Sequence, residues 1–77
     1  MSNHVELNCL GQKCPRPIIE IVKIARKSPP GTILAVTADD LAFESDVRAW
    51  IERAQATLLS LEKDGDQIIA QIRLPEP

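Results

Sequence analysis

The sequence has few aromatic residues and few cysteines. Phe43 and Trp50 are its only Phe, Trp or Tyr residues among 77, so a core built from this chain must be mostly aliphatic. Two cysteines are too few for the disulfide framework of a small secreted protein. No apolar run approaches the roughly 20 residues that a membrane span needs. The small number of cysteines and the absence of a long apolar run argue against disulfide-stabilised and membrane-spanning folds, and they favour one soluble domain.

The net charge and the first residues of the chain also favour a soluble domain. The net charge of −2 at pH 7 has the wrong sign for direct nucleic-acid binding, which needs a basic surface. Residues 1–7 lack the basic and apolar regions of a secretory signal peptide. We therefore expect a single cytoplasmic domain over residues 1–77, ordered from about 4 to 74, with a disordered tail at 75–77 and no nucleic-acid or membrane contact.

Apolar periodicity predicts six elements. In chain order they are a strand at 4–8, a helix at about 15–27, a strand at 32–38, a helix at about 42–55, and strands at 57–63 and 67–74. Asp64-Gly65 between the last two strands is a hairpin signal. Both helices must bury an apolar face, and one face of the sheet can serve both. The order predicts an α+β fold, a two-layer α/β sandwich.

The stretch from Gly11 to Pro17, Gly-Gln-Lys-Cys-Pro-Arg-Pro, is the most informative part of the chain. Proline is tolerated in the first turn of a helix because the amide it lacks would be unpaired there. We therefore place Cys14 at or beside the N-cap of the first helix. Unpaired amides and the helix dipole favour a thiolate at that position, and Lys13 and Arg16 act in the same direction. The pattern indicates a reactive thiol at Cys14.

A structural explanation of the same residues stays open on local chemistry alone. Free cysteine is often a small buried hydrophobe, and proline commonly marks a helix start. Cys9 could resolve an oxidised Cys14 in a redox switch, but the spacing is not Cys-x-x-Cys, and we interpret Cys9 as a small residue at a strand end. His4, Cys9, Cys14 and Asp39 lack the short repeated spacing of zinc ligands, so we predict no metal and no cofactor.

The remaining polar and aromatic candidates are given structural roles. Adjacent carboxylates such as Asp39-Asp40, between a strand and a helix, usually cap or form turns. Asp46 falls in the first turns of the second helix, where the helix dipole favours a negative charge. Trp50 lies on the apolar stripe of that helix and is predicted to be part of the core.

The pattern Leu7-Asn8-x-x-Gly11-x-x-Cys14-Pro15-x-Pro17 resembles the signature of the TusA (SirA-like) family of sulfur-carrier proteins. Residues similar to the family's also occur at Asp39-Asp40, Asp46-Val47, Trp50 and Asp64-Gly65, so the resemblance runs from about Val5 to Leu74. It implies two helices on one face of a four-stranded mixed sheet. It also implies that Cys14 carries sulfane sulfur as a persulfide, supported by its neighbours Gly11, Lys13, Pro15, Arg16 and Pro17.

The family resemblance implies a sulfurtransferase-like carrier rather than a stand-alone enzyme, and we expect a monomer. Its donor would be a cysteine desulfurase or a rhodanese-like protein, and its acceptor would serve tRNA thiolation, sulfur oxidation or cofactor assembly. The chain has Asn8 where the family usually has Asp, and Leu41, Ile51, Gln55 and Ala56 where it often has Pro, Cys, Gly and His. These departures leave the pathway open. The alternatives are a non-catalytic interaction module of the same fold and a Cys9/Cys14 redox switch.

Overall fold

The computed structural model describes residues 4–13 and 16–75. Its elements are β1 (His4–Cys9), α1 (Arg16–Lys27), β2 (Ile33–Ala38), α2 (Phe43–Ala54), β3 (Thr57–Asp64) and β4 (Gln67–Arg73). The predicted order is confirmed, and each predicted boundary lies within one residue of the observed one. Pro15, the predicted first residue of α1, lies outside the described residues, as does most of the predicted tail at 75–77.

The four strands form one mixed sheet in the order β1-β2-β4-β3. β1 pairs with β2 in parallel, and β4 runs antiparallel to both of its neighbours. From β1 to β2, and again from β2 to β3, the chain moves in the same direction across the sheet. Because crossovers between parallel strands are right-handed, both helices fall on the same face. The predicted two-layer sandwich with two helices on one face is confirmed.

The core lies between the helices and the sheet. Leu34, Val36 and Ala38 of β2 are fully buried on the helix side, and they pair with buried residues of β4. The helices add six buried side chains: Pro17 and Ile21 from α1, and Phe43, Val47, Trp50 and Ile51 from α2. The core is therefore mostly aliphatic, with Trp50 inside it as predicted.

α2 ends at a residue with left-handed backbone geometry. Gln55 has φ 60° and ψ 31° and directly follows the helix. Its N–H donates to the Glu52 carbonyl at 3.3 Å, and the Ala56 N–H donates to the Ile51 carbonyl at 3.0 Å. This pair of bonds is the Schellman motif, in which glycine is the usual residue. Glutamine here carries a conformational cost that glycine would not.

The β3–β4 hairpin turns one residue later than the Asp64-Gly65 signal placed it. Asp64 still pairs with Gln67, so the two loop residues are Gly65 and Asp66. Gly65 has a positive φ of 61°, whereas the φ of Asp66 is not positive. A positive φ at only the first loop residue is the pattern of a type II′ turn, which requires glycine there.

Candidate functional site

The candidate site lies at the edge of the sheet where β1 and β2 end. The two strands are parallel and Cys9 pairs with Ala38, so the segments that follow them leave the sheet side by side. One segment leads towards Cys14 and the other begins with Asp39. The β3–β4 turn reaches the same edge, because Ile68 of β4 also pairs with Ala38. Three chain connections therefore converge on this edge.

Three hydrogen bonds hold the loop that precedes Cys14. The Asn8 side chain accepts the Leu10 N–H at 3.0 Å, and the Cys9 carbonyl accepts the Gln12 N–H at 3.2 Å. The Gly11 N–H lies 3.0 and 3.1 Å from the two carboxylate oxygens of Asp39. Gly11 itself has φ +78°, a conformation that L side chains rarely adopt. The loop is therefore held by two local hydrogen bonds and by one hydrogen bond to Asp39, the residue after β2.

The predicted site residues are brought to this edge as far as the structure describes them. Cys14 and Pro15 lie outside the described residues, so their roles stay predictions. Lys13 and Arg16 are exposed, and the Arg16 N–H donates to the Lys13 carbonyl at 2.9 Å. Pro17 is fully buried and packs the beginning of α1 into the core. The segments on both sides of Cys14 are therefore anchored, one by hydrogen bonds and one by burial.

α1 presents a surface that is cationic at its rim and apolar at its centre. Ile19 is 48% exposed and lines a depression of about 320 Å³ together with Lys13, Arg16, Glu20 and Lys23. A neighbouring depression of about 270 Å³ adds Ile18, Val22 and Arg26. We call Lys13, Arg16, Ile19, Lys23 and Arg26 the α1 surface. It begins directly beside the Cys14 position in the chain.

Cys9 is chemically unlike a carrier thiol. Its side chain is 1% exposed and its thiol is free. Burial, with a smaller contribution from the Glu20 carboxylate, raises the pKa of the Cys9 thiol above its usual value. Because the thiolate is the nucleophile, a buried thiol with a raised pKa is a poor partner for exchange. Its position agrees with the interpretation of Cys9 as a small residue at a strand end.

Asp39 and Asp40 both have structural roles, as expected, but they act in different places. Asp40 forms the turn before α2: its side chain accepts the Ala42 N–H at 2.7 Å, and its carbonyl accepts the Phe43 N–H at 3.0 Å. The N-cap of α2 is Ala42, which makes no side-chain cap hydrogen bond. Asp39 instead binds Gly11, which is 28 residues away in sequence. The signal that could have found this contact is the parallel pairing of β1 and β2, which places the residues after both strands together.

Other chemistry is sparse in the described ranges. Within residues 4–13 and 16–75, no three His, Cys, Asp or Glu side chains form a group that could hold a metal ion. His4 is exposed on β1. The Gln12 amide oxygen is buried and has no hydrogen-bond partner among those same residues. None of the described helices is long and apolar enough to cross a membrane.

Comparison with known proteins decides the family. The model of the family described as "Sulfurtransferase TusA" matches residues 5–74. The chain belongs to the TusA family. The resemblance stated from the Cys14 motif is thereby confirmed, and with it the expectation of a SirA-like fold. A crystal structure of a SirA-like protein from Desulfitobacterium hafniense has a TM-score of 0.81 with this TusA-family chain at 26% identity, covering 94% of this chain and 99% of that one.

Two relatives of this TusA-family chain carry the same name, "Putative sulfur carrier protein". One, from Aquifex aeolicus (strain VF5), is 33% identical over 67 residues, which are 87% of this chain and 34% of the relative. The other, from Archaeoglobus fulgidus, is 31% identical over 64 residues, which are 83% of each chain. This chain therefore spans about a third of the first relative and most of the second.

Proposed function

We propose that this TusA-family protein is a sulfur carrier that accepts sulfane sulfur on Cys14 as a persulfide and passes it to an acceptor protein. The observation that carries the proposal is the family match, which spans the Cys14 motif and the whole sandwich that presents it. The names of the two relatives support the same function. The single domain over 1–77 and the cytoplasmic, monomeric state belong to this proposal.

The chemistry is an exchange of one sulfur atom between thiols. The Cys14 thiolate attacks the terminal sulfur of a donor persulfide, a new S–S bond forms at Cys14, and the donor S–S bond breaks with departure of the donor thiolate. The terminal proton travels with the transferred sulfur. The second transfer repeats the step with an acceptor thiolate as the attacker and Cys14 as the leaving thiolate. No external oxidant or reductant is consumed in either step.

Exposure and charge at the site suit this exchange. A carrier thiol must reach two partner proteins in turn, and Gly11, Lys13 and Arg16 around it are all exposed. Lys13 and Arg16 are cations that would stabilise a thiolate or persulfide anion between them. Cys9, the other thiol, is buried. This contrast favours a single carrier cysteine over the Cys9/Cys14 redox switch.

The α1 surface is suited to docking a sulfur-donor or sulfur-acceptor protein. Its cations would complement an acidic rim on the partner, and Ile19 offers an exposed apolar contact at the centre. The donor would be a cysteine desulfurase or a rhodanese-like protein. The acceptor would belong to tRNA thiolation, sulfur oxidation or cofactor assembly. In this scheme the carrier contacts proteins and neither nucleic acid nor membrane.

The experiment is intact-protein and peptide mass spectrometry after exposure to a sulfane-sulfur donor. Wild type, Cys14→Ser and Cys9→Ala are treated in parallel; Ala is chosen at Cys9 because a serine hydroxyl would be placed in the apolar core. We expect one added sulfur on the Cys14 peptide of wild type and Cys9→Ala, and none in Cys14→Ser. Sulfur only on Cys9, or none with a competent donor, would overturn the proposal.

A further inference from the structure

We propose that Asp39 is a positioning residue for sulfur transfer at Cys14, acting through its hydrogen bond to the Gly11 N–H. This inference rests on the proposed function of Cys14. The carboxylate leaves the end of β2 and reaches across to the loop that leaves the end of β1. It therefore joins the loop that precedes Cys14 to the end of β2, an interior strand of the sheet.

The geometry of the contact is that of a charge-assisted hydrogen bond. One N–H is shared by two carboxylate oxygens at 3.0 and 3.1 Å. Hydrogen bonds to an ionised acceptor are roughly twice as strong as neutral ones. The other hydrogen bonds seen for this loop in the described residues are local, joining Leu10 to Asn8, Gln12 to Cys9 and Arg16 to Lys13. The Asp39 bond instead joins residues that are 28 positions apart in the sequence.

The contact is not needed to begin α2. Asp40, the next residue, forms the turn that precedes the helix, where its side chain accepts the Ala42 N–H. Asp39 is exposed, and it makes no contribution to the apolar core. Its carboxylate is nevertheless placed on the amide of a residue with left-handed geometry, three positions before Cys14.

The effect expected on chemistry follows from where Cys14 lies in the chain. The start of α1 and the cations Lys13 and Arg16 would favour a Cys14 thiolate, and we expect this effect to depend on the conformation of the loop before it. Asp39→Ala removes the bond between the loop and the residue after β2, so we expect these groups to favour the thiolate less. The Cys14 pKa then rises towards the ordinary value for cysteine, and the loading rate constant falls by about tenfold, as misplacement of a reacting group does.

Asp39→Ala and Asp39→Asn together distinguish the effect of the hydrogen bond to Gly11 from the effect of the Asp39 negative charge. Asp39→Asn keeps an oxygen that can accept the Gly11 N–H but removes the negative charge. Loss of the charge alone would stabilise a nearby thiolate and lower its pKa. If position matters, Asp39→Ala therefore raises the Cys14 pKa, whereas Asp39→Asn leaves it unchanged or lowers it and retains most of the loading rate. Asp66→Asn, an exposed carboxylate in the turn at the same edge, is the matched control.

The test measures two quantities in a Cys9→Ala background. The first is the pH profile of Cys14 alkylation by iodoacetamide, and the second is the rate constant of sulfur loading from a polysulfide. We expect a higher alkylation midpoint and slower loading for Asp39→Ala, with near-normal values for Asp39→Asn and Asp66→Asn. Equal midpoints and loading rates for wild type and Asp39→Ala, with wild type loaded normally, would overturn this inference and leave the carrier function standing. Failure of wild type to load, with the alkylation shift present, would overturn the carrier function instead.

Discussion

Cys9 and Ala38 are partners in the parallel pairing of β1 and β2, and each is the last residue of its strand. This register places the loop before Cys14 beside Asp39. The Asp39 carboxylate accepts the Gly11 N–H at 3.0 Å, and the pairing of β1 with β2 continues unbroken to the last residue of each strand. The strand register, rather than the cysteine motif alone, thus determines what surrounds the proposed sulfur site.

Gly11→Ala should slow sulfur loading and lower stability. Nothing lies within 4 Å of a Cβ built on Gly11, so the effect comes from its φ of +78° and not from a clash. The strain of an L residue in this region is about 1–2 kcal/mol. We expect a free energy of unfolding lower by about that amount in urea denaturation.

Gly65→Ala is the matched control for Gly11→Ala. Gly65 also has a positive φ and open space around its Cβ position, but it lies in the β3–β4 turn. Both substitutions should reduce stability by similar amounts, whereas only Gly11→Ala should slow loading of Cys14. Equal loading rates for the two variants would show that Gly11 has no role beyond the fold.

Gln55→Gly should stabilise the protein. Gln55 occupies the left-handed position after α2 with φ 60°, where glycine has no Cβ penalty. Relief of the backbone strain stabilises the folded state, and the larger backbone entropy that glycine loses on folding offsets part of this effect. We therefore expect the free energy of unfolding to rise by about 0.5–1 kcal/mol. Thermal and urea denaturation measure it. Gln55→Ala keeps the Cβ and should give no gain; an equal gain from Ala would contradict the backbone explanation.

Ionised Glu44 should stabilise the folded protein, and this stabilisation should be lost at acid pH. Lys63 on β3 donates to its carboxylate at 2.8 Å and Arg48 donates at 3.3 Å. The hydrogen bond from Lys63, followed by the attraction of both cations, holds the pKa of Glu44 below its usual range. A lowered folded pKa means that the ionised pair stabilises the fold above about pH 4.3, the ordinary glutamate value, and that this stabilisation is lost as the pH falls through the folded pKa.

Glu44→Gln should therefore flatten the acid limb of the stability curve. Between pH 6 and pH 3 wild type should lose more stability than the variant, and added salt should reduce the difference because the pairs are exposed. Glu62→Gln removes an exposed carboxylate from β3 and serves as the control. Parallel curves for wild type and Glu44→Gln would contradict the role of the ion pairs.

Charge reversal on the α1 surface should slow transfer from a protein donor but not from a small one. Lys23→Glu removes a cation of the rim beside Ile19. Long-range attraction to an acidic partner raises the association rate and weakens with salt. We expect slower persulfide transfer from a desulfurase or rhodanese-like donor, a smaller salt dependence, and unchanged loading from polysulfide.

Lys27→Glu, at the end of α1, is the control for charge alone. It changes the net charge equally but lies outside the α1 surface. If it slows protein-donor transfer as much as Lys23→Glu does, net charge rather than a defined docking surface is responsible.

The positions of helices and strands were predictable because their causes are local. Proline and glycine between 28 and 31 end α1, and alternating apolar residues mark β4. The end of α2 had no glycine to mark it, yet the apolar stripe placed it within one residue. The strand order β1-β2-β4-β3 could not be worked out from pattern alone, because it depends on pairings between distant segments. The family resemblance implied only that the four-stranded sheet is mixed.

The contacts around the site were less predictable for the same reason. Asp39 and Asp40 are adjacent and identical in type, and their separate roles follow from their directions at the end of β2. The pairing of Glu44 with Arg48 is visible from helical spacing, whereas its bond to Lys63 joins two elements that sequence does not connect. Local chemistry predicts a reactive thiol at Cys14, whereas the contacts of the loop before it depend on the tertiary fold.

A pulse–chase with sulfur of a heavy isotope tests the carrier account most directly. Labelled polysulfide loads the protein, excess donor is removed, and an acceptor thiol protein is added while peptides are followed by mass spectrometry. The account predicts that the label appears on the Cys14 peptide, then leaves it and appears on the acceptor, and that Cys14→Ser abolishes both steps. Label that never reaches Cys14, or that stays on Cys14 when the acceptor is present, would contradict it.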